Sequence, residues 1–256
     1  MTAVLHHMDP PSKALLFMEG RAFFELGAFF WTLPLLNRAP QGDGHPVLVL
    51  PGMLTSDAST KALREFLKGR GYDVHGWRQG RNVGLTAALQ SAMVDQIKTL
   101  ADAHGRKVSV VGWSLGGLYA RQLGKVLPDH VRSVTTLGSP FAGSPRATNA
   151  WRVYEFVSGQ KADYRDYHFG GDLAETPPMP TTAIYSRTDG VCAWQVCKEQ
   201  PGALAESIEV PGSHCGMGHN PAVLYALADR LAQEEGNWKP FERTGWRSLV
   251  FPDPHR

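Results

Sequence analysis

The sequence predicts an α/β protein built on a doubly wound, mostly parallel sheet. Three observations carry this. Two short apolar runs (Val47 to Leu50, Val108 to Val111) and further strand-like segments (Val131 to Leu137, Thr181 to Tyr185) recur along the chain and alternate with helical patterns. Val47 to Leu50 does not alternate apolar with polar, as expected of a strand covered on both faces. Turn residues follow the first two directly, as Pro51-Gly52 and Gly112-Trp113-Ser114. At 256 residues, 43% of them hydrophobic and 20% charged, the chain fits one decorated domain better than two. A formal charge of +2 with no basic run argues against nucleic acid as a partner.

Residues 12 to 36 read as one long helix. Leu15, Met18, Ala22, Leu26, Phe29 and Leu33 form an apolar stripe that Phe23, Phe24, Phe30 and Trp31 widen. Arg21, Glu25 and Thr32 occupy the narrow remaining arc. Such a face suits packing on the core, a second copy of the chain (a homodimer), a substrate-pocket wall, or contact with a lipid or membrane surface. Charged residues interrupt the segment, so no membrane span is expected, and no signal-peptide layout precedes it. The resulting expectation is a cytoplasmic protein, with membrane association as a variant of it.

Asn37 to Pro46 is a linker. After the Val47 strand come a helix over Ser59 to Lys68, a short strand over Tyr72 to His75 and a helix over Leu85 to Ala103. The Val108 strand then feeds a helix over Leu115 to Leu127, stopped by Pro128. Strands follow at Val131 to Leu137, Thr181 to Tyr185 and Ser207 to Val210, and Pro221 opens a last helix to Gln233. Ser139 to Pro180 breaks this rhythm. Its glycines, prolines and aromatics (Trp151, Tyr154, Phe156, Tyr164, Tyr167, Phe169) suggest short helices or a lid-like insertion. The expected organisation is an N-terminal helix and linker (1–43), a core (44–235) and a tail (236–256) that packs back through its aromatics.

The chemistry is concentrated at Gly112-Trp113-Ser114-Leu115-Gly116-Gly117. A buried strand turns into a helix with Ser114 at the apex, the layout of a G-x-S-x-G nucleophile elbow. A serine hydroxyl needs a histidine to take its proton and a carboxylate to hold that histidine. Asp189 lies in the loop after Thr181 to Tyr185, and His214 in the loop after Ser207 to Val210. Both therefore fall at the carboxyl edge of the sheet, in the order Ser, Asp, His. His219 is the alternative base; Asp172 and Asp163 are the alternative acids. Backbone N–H groups of Leu115 and Met53 are the expected oxyanion donors, the first opening the helix after the serine and the second in the loop after Val47 to Leu50. No metal or organic cofactor is needed. Among Cys192, Cys197 and Cys215, one bridge is open, Cys197 to Cys215 being the natural choice.

These residues, with Leu137-Gly138-Ser139-Pro140, Asp189-Gly190 and Trp194, and Ser213-His214-x-Gly216 with Asn220-Pro221, resemble the α/β-hydrolase superfamily. Within it the chain looks closest to small bacterial esterases and triacylglycerol lipase-like proteins, over roughly residues 44 to 235. The resemblance implies a serine hydrolase acting on carboxylic esters, with a hydrophobic ester as substrate. Acyl transfer or thioester hydrolysis by the same residues, and a non-catalytic binding protein on this fold, are the rival readings. Two departures stand out. Many lipases carry His-Gly where this chain has Pro51-Gly52. There is also no room before Val47 for the first two strands of larger members, which implies a reduced sheet of about six strands.

Overall fold

The computed structural model describes residues 8–159, 161 and 169–253. The expected rhythm is present. In chain order the elements are α1 (Lys13–Phe17), a 3-10 turn (Met18–Arg21), α2 (Ala22–Leu36), β1 (Pro46–Leu50), α3 (Lys61–Gly69), β2 (Asp73–Gly76), α4 (Ala87–His104) and β3 (Val108–Trp113). Then follow α5 (Leu115–Val126), β4 (Val131–Leu137), α6 (Trp151–Ser158), β5 (Thr181–Tyr185), β6 (Ala205–Glu209), α7 (Pro221–Leu231) and α8 (Arg247–Val250).

The six strands form one sheet in the order β2-β1-β3-β4-β5-β6, and every pair is parallel. The chain steps outward from β1 to β2, returns to the far side of β1 as β3, and then moves outward through β4, β5 and β6. The reversal falls between β1 and β3, where open parallel sheets leave a crevice at their carboxyl ends.

Period-two alternation along the strands feeds two cores. Val47, Val49, Val111 and Trp113 face one layer, with Leu63, Phe66, Val223 and Leu227. Leu48, Leu50, Val108 and Val110 face the other, with Met93, Ile97, Leu118 and Leu123. Helix boundaries follow local chemistry. Thr86 Oγ1 accepts the Leu89 N–H at the start of α4, and Gly105, with φ 58°, closes its end. Asn220 Oδ1 accepts from the Ala222 N–H, and Pro221 opens α7. The tail returns through Phe241 and Phe251, both buried and with ring centroids 4.8 Å apart.

Three expectations are corrected. The single helix over 12 to 36 is broken at Met18–Arg21, where Gly20 sits in the 3-10 turn. Its apolar stripe does not turn inward as a whole. Phe29 and Leu36 are buried, whereas Phe17, Phe23, Phe24 and Trp31 are more than four-fifths exposed. Arg21 and Glu25 of the polar arc turn toward the protein instead, where they meet backbone acceptors and a backbone donor. Finally, Cys197 and Cys215 do not pair; all three cysteines are free, with Cys197 buried and Cys215 exposed. In the 139–180 segment the structure describes a 3-10 turn (Pro145–Ala147) and α6. Asp163, Tyr164 and Tyr167 lie outside the described residues.

Candidate active site

Ser114 stands between β3 and α5 with φ 52° and ψ −118°. For a non-glycine residue this is strained backbone that surrounding structure must hold in place. The flanking glycines make it achievable. A Cβ on Gly112 would overlap the backbone of Gly116 and Gly117, and one on Gly116 would lie 2.5 Å from Leu50 O. The Ser114 N–H donates to Leu137 O at 2.8 Å, tying the elbow to β4. The turn leaves Ser114 half-buried at the mouth of a cleft lined by Met53, Leu118, Pro140, Trp151, Tyr154 and Cys192.

Asp189 and His214 arrive from the ends of β5 and β6, which are neighbours in the sheet. His214 Nδ1 donates to Asp189 Oδ2 at 2.7 Å, with both side chains buried. Asp189 Oδ1 accepts the N–H groups of Val191 and Cys192 at 2.8 and 2.7 Å. The carboxylate is thus oriented on both oxygens and fixes the imidazole tautomer that leaves Nε2 free to accept a proton. Burial opposes charge on His214, but the Asp189 carboxylate outweighs it and holds the imidazole pKa well above the usual 6.5. Trp113, next to the serine, donates its indole N–H to His214 O at 3.2 Å, and His214 Nδ1 lies close over Gly138. The elbow and the histidine loop therefore pack against each other. Among the described residues no hydrogen bond joins Ser114 Oγ to His214; such bonds are often loose before substrate is bound.

Met53 and Leu115 line the same cleft as Ser114. Leu115 opens α5, where first-turn N–H groups have no helical acceptor. The Met53 loop is braced from outside. Asn82 Nδ2 donates to Pro51 O at 2.9 Å, the Leu54 N–H donates to Asn82 O, and the Tyr119 hydroxyl donates to Asn82 Oδ1. Gly52 brings this backbone into contact distance of Ser114.

The alternatives are placed elsewhere. His219 Nε2 donates to Ala22 O at 2.9 Å and serves the N-terminal helix. Asp172 caps a turn at the Ala174 N–H. Sequence reasoning missed two groups. Cys192 lies against His214, its thiol pushed far up by burial. Asn82 braces the Met53 loop and has no spacing signal. Two clusters hold metal-type donors within reach of one another, Asp73-His75-His104 and Asp189-Cys192-His214. In the first, Asp73 already accepts from both histidines. The second is the acid–base pair itself, with both Asp189 oxygens engaged.

No family model matches the chain. Among solved structures it is similar to Aspergillus fumigatus lipase B, with a TM-score of 0.61 and 18% identity. The match covers 76% of this chain and 53% of that one, so the chain spans about half of that lipase. It is also similar to Bacillus licheniformis lipase BlEst2 in its mature form, with a TM-score of 0.56, 14% identity, and coverage of 77% and 95%. This is the α/β-hydrolase fold. Among the described residues the sheet has six strands, and a helical segment lies ahead of β1.

Proposed function

We propose that this protein is a serine hydrolase that cleaves carboxylic esters through an acyl-enzyme. The observation that carries the reading is the joint placement of a strained elbow serine and a buried, carboxylate-held imidazole at one end of one sheet. In this mechanism Ser114 Oγ attacks the acyl carbonyl while His214 Nε2 takes its proton. Asp189 stabilises the resulting imidazolium. The N–H groups of Met53 and Leu115 receive the oxyanion, an interaction of the kind worth about 3–4 kcal/mol per donor. His214 then protonates the leaving alcohol, and water frees the acyl group by the reverse sequence. The cleft offers mostly apolar walls, which favours a hydrophobic acyl chain.

The test is direct. The purified protein should hydrolyse p-nitrophenyl esters of short or medium chain, and Ser114→Ala should remove that turnover and labelling by a fluorophosphonate probe. Full activity in Ser114→Ala would overturn the assignment. A panel of esters graded by chain length, run across the solubility limit, separates an esterase from a lipase. Added alcohols and thioesters test the acyl-transfer and thioesterase readings.

The same reading extends to where substrate is met. Phe17, Phe23, Phe24 and Trp31 stand exposed on one N-terminal segment, far more aromatic surface than single exposed apolar residues explain. No described helix is long and apolar enough to cross a membrane. The occupant proposed for this face is a lipid–water surface, the phase in which apolar esters collect. Co-sedimentation with liposomes should fall in a Phe23→Ser/Phe24→Ser variant. Unchanged pelleting would remove this face as the lipid contact, and a dimer in solution that the variant dissolves would put a second copy there instead.

A further inference from the structure

The loops that carry Asp189 and His214 are held together by residues from the far N-terminus. Glu19 sits in the Met18–Arg21 turn with its side chain buried. Its Oε1 accepts the Gly190 N–H at 2.7 Å and the His214 N–H at 3.0 Å. Its Oε2 accepts the Cys215 N–H at 2.8 Å. One carboxylate thus bonds the backbone of the base itself and of the residue following the acid. Glu25 Oε1 takes the next donor, the Ser213 N–H, at 2.8 Å. Arg21 supplies the opposite polarity, donating to Thr188 O at 2.5 Å and to Gly212 O at 2.8 Å. The approach is close enough to require glycine: a Cβ on Gly190 would overlap Leu15 O, and one on Gly216 would overlap the Glu25 carboxylate.

We propose that Glu19 is a positioning residue for catalysis, a carboxylate clamp that sets the relative position of the acid loop and the base loop. This rests on the ester-hydrolase reading of Ser114, His214 and Asp189. Three observations point to positioning beyond ordinary packing. All three acceptor contacts go to the two loops that carry the acid and base. They involve the backbone of His214 and the two glycine-permitted turns, where small displacements pass straight to the imidazole. Burial opposes ionisation of Glu19, yet the three backbone donors outweigh it and hold the carboxyl below its ordinary 4.5, so the clamp is an anion at neutral pH.

Glu19→Gln keeps the shape but replaces one accepting oxygen with an NH2 that must face a backbone N–H. At least one buried donor is then orphaned and the loops separate. The measurement is kcat and KM per fluorophosphonate-titrated site, beside Tm, for wild type, Glu19→Gln and a control, Leu33→Ala. Leu33 packs on the core and reports what lost stability alone does. Glu19→Gln should lower kcat by about 10- to 100-fold, the cost typical of a misplaced catalytic group, with KM within about twofold. Leu33→Ala should lower Tm and leave kcat per site unchanged. Should Glu19→Gln fail to fold, Glu25→Gln, which weakens the Ser213 contact, a 3.5 Å ion pair with Arg21 and a long contact to Asn220, should show a smaller fall in kcat of the same kind. A kcat in the Gln variants equal to wild type, or a fall no larger than the control's, would overturn the clamp. Wild-type turnover and its loss in Ser114→Ala decide the ester-hydrolase reading independently.

Discussion

His214 and Asp189 meet through a 2.7 Å hydrogen bond in a pocket where both side chains are buried. The bond has a pH signature. In the proposed mechanism His214 acts as a base only when neutral, and its pKa is raised well above 6.5. Activity should therefore fall as pH drops through a value above 6.5, later in the alkaline direction than for an ordinary histidine. Asp189→Asn removes the charge that raises this pKa, so kcat/KM should drop by about 10³- to 10⁴-fold and the remaining acid limb should move to lower pH. A kcat/KM–pH profile checks both. An unmoved limb would detach Asp189 from the base.

Cys192 touches the same imidazole and lines the same cleft. Burial raises its thiol pKa well above 9, so it stays protonated and is a poor nucleophile. Cys192→Ala should retain turnover of the wild-type order, whereas Ser114→Ala should not. The reverse pattern would make this a thiol hydrolase.

A second Ser-His-Asp set lies at the other end of the sheet. His45 Nδ1 donates to Asp43 Oδ1 at 2.5 Å, and His45 Nε2 accepts from Ser109 Oγ at 2.8 Å. His45 and Ser109 are fully buried, and Ser109 sits inside β3, so no substrate reaches it. Burial, with Arg132 adding to it, pushes the His45 pKa down to about 4 against the pull of Asp43. The unfolded chain, near 6.5 at this site, binds the proton that the fold refuses. Stability should therefore decline as pH falls from 6.5 to 4, by roughly 3 kcal/mol from this group. In His45→Leu that stretch of the denaturation midpoint–pH curve should flatten. An unchanged slope would show that other groups set it.

Arg121 is fully buried in α5. It pairs with Glu199, donates to Leu173 O and Glu175 O, and lies over the Phe141 ring at 3.7 Å. It thereby fastens both ends of the 139–180 segment to the core. Arg121→Met strands the Glu199 charge and should cost about 3–5 kcal/mol in urea unfolding. A loss under about 1 kcal/mol would mean that water reaches Glu199 in the variant.

The layered fold and the Ser114, Asp189 and His214 placements were legible because each depends on a local pattern: an apolar run, a turn, and a residue at its carboxyl end. The helix over 12 to 36 was misread because the wheel ranks residues by polarity. Facing is decided by what lies opposite, and Glu19, Arg21 and Glu25 meet loop backbone 167 to 196 residues away. Cys192 and Asn82 escaped for the same reason. Ser109 shows the converse, since three chemically correct residues in contact make no site without a strained turn and an open mouth.

The span of 196 residues between Glu19 and Cys215 has a consequence for biogenesis. On the ribosome the sheet can assemble strand by strand, but the Glu19 carboxylate must wait for 196 further residues before its last partner emerges. Contacts this distant in sequence close late and slowly. In refolding, the recovery of secondary structure should run ahead of the return of catalysis.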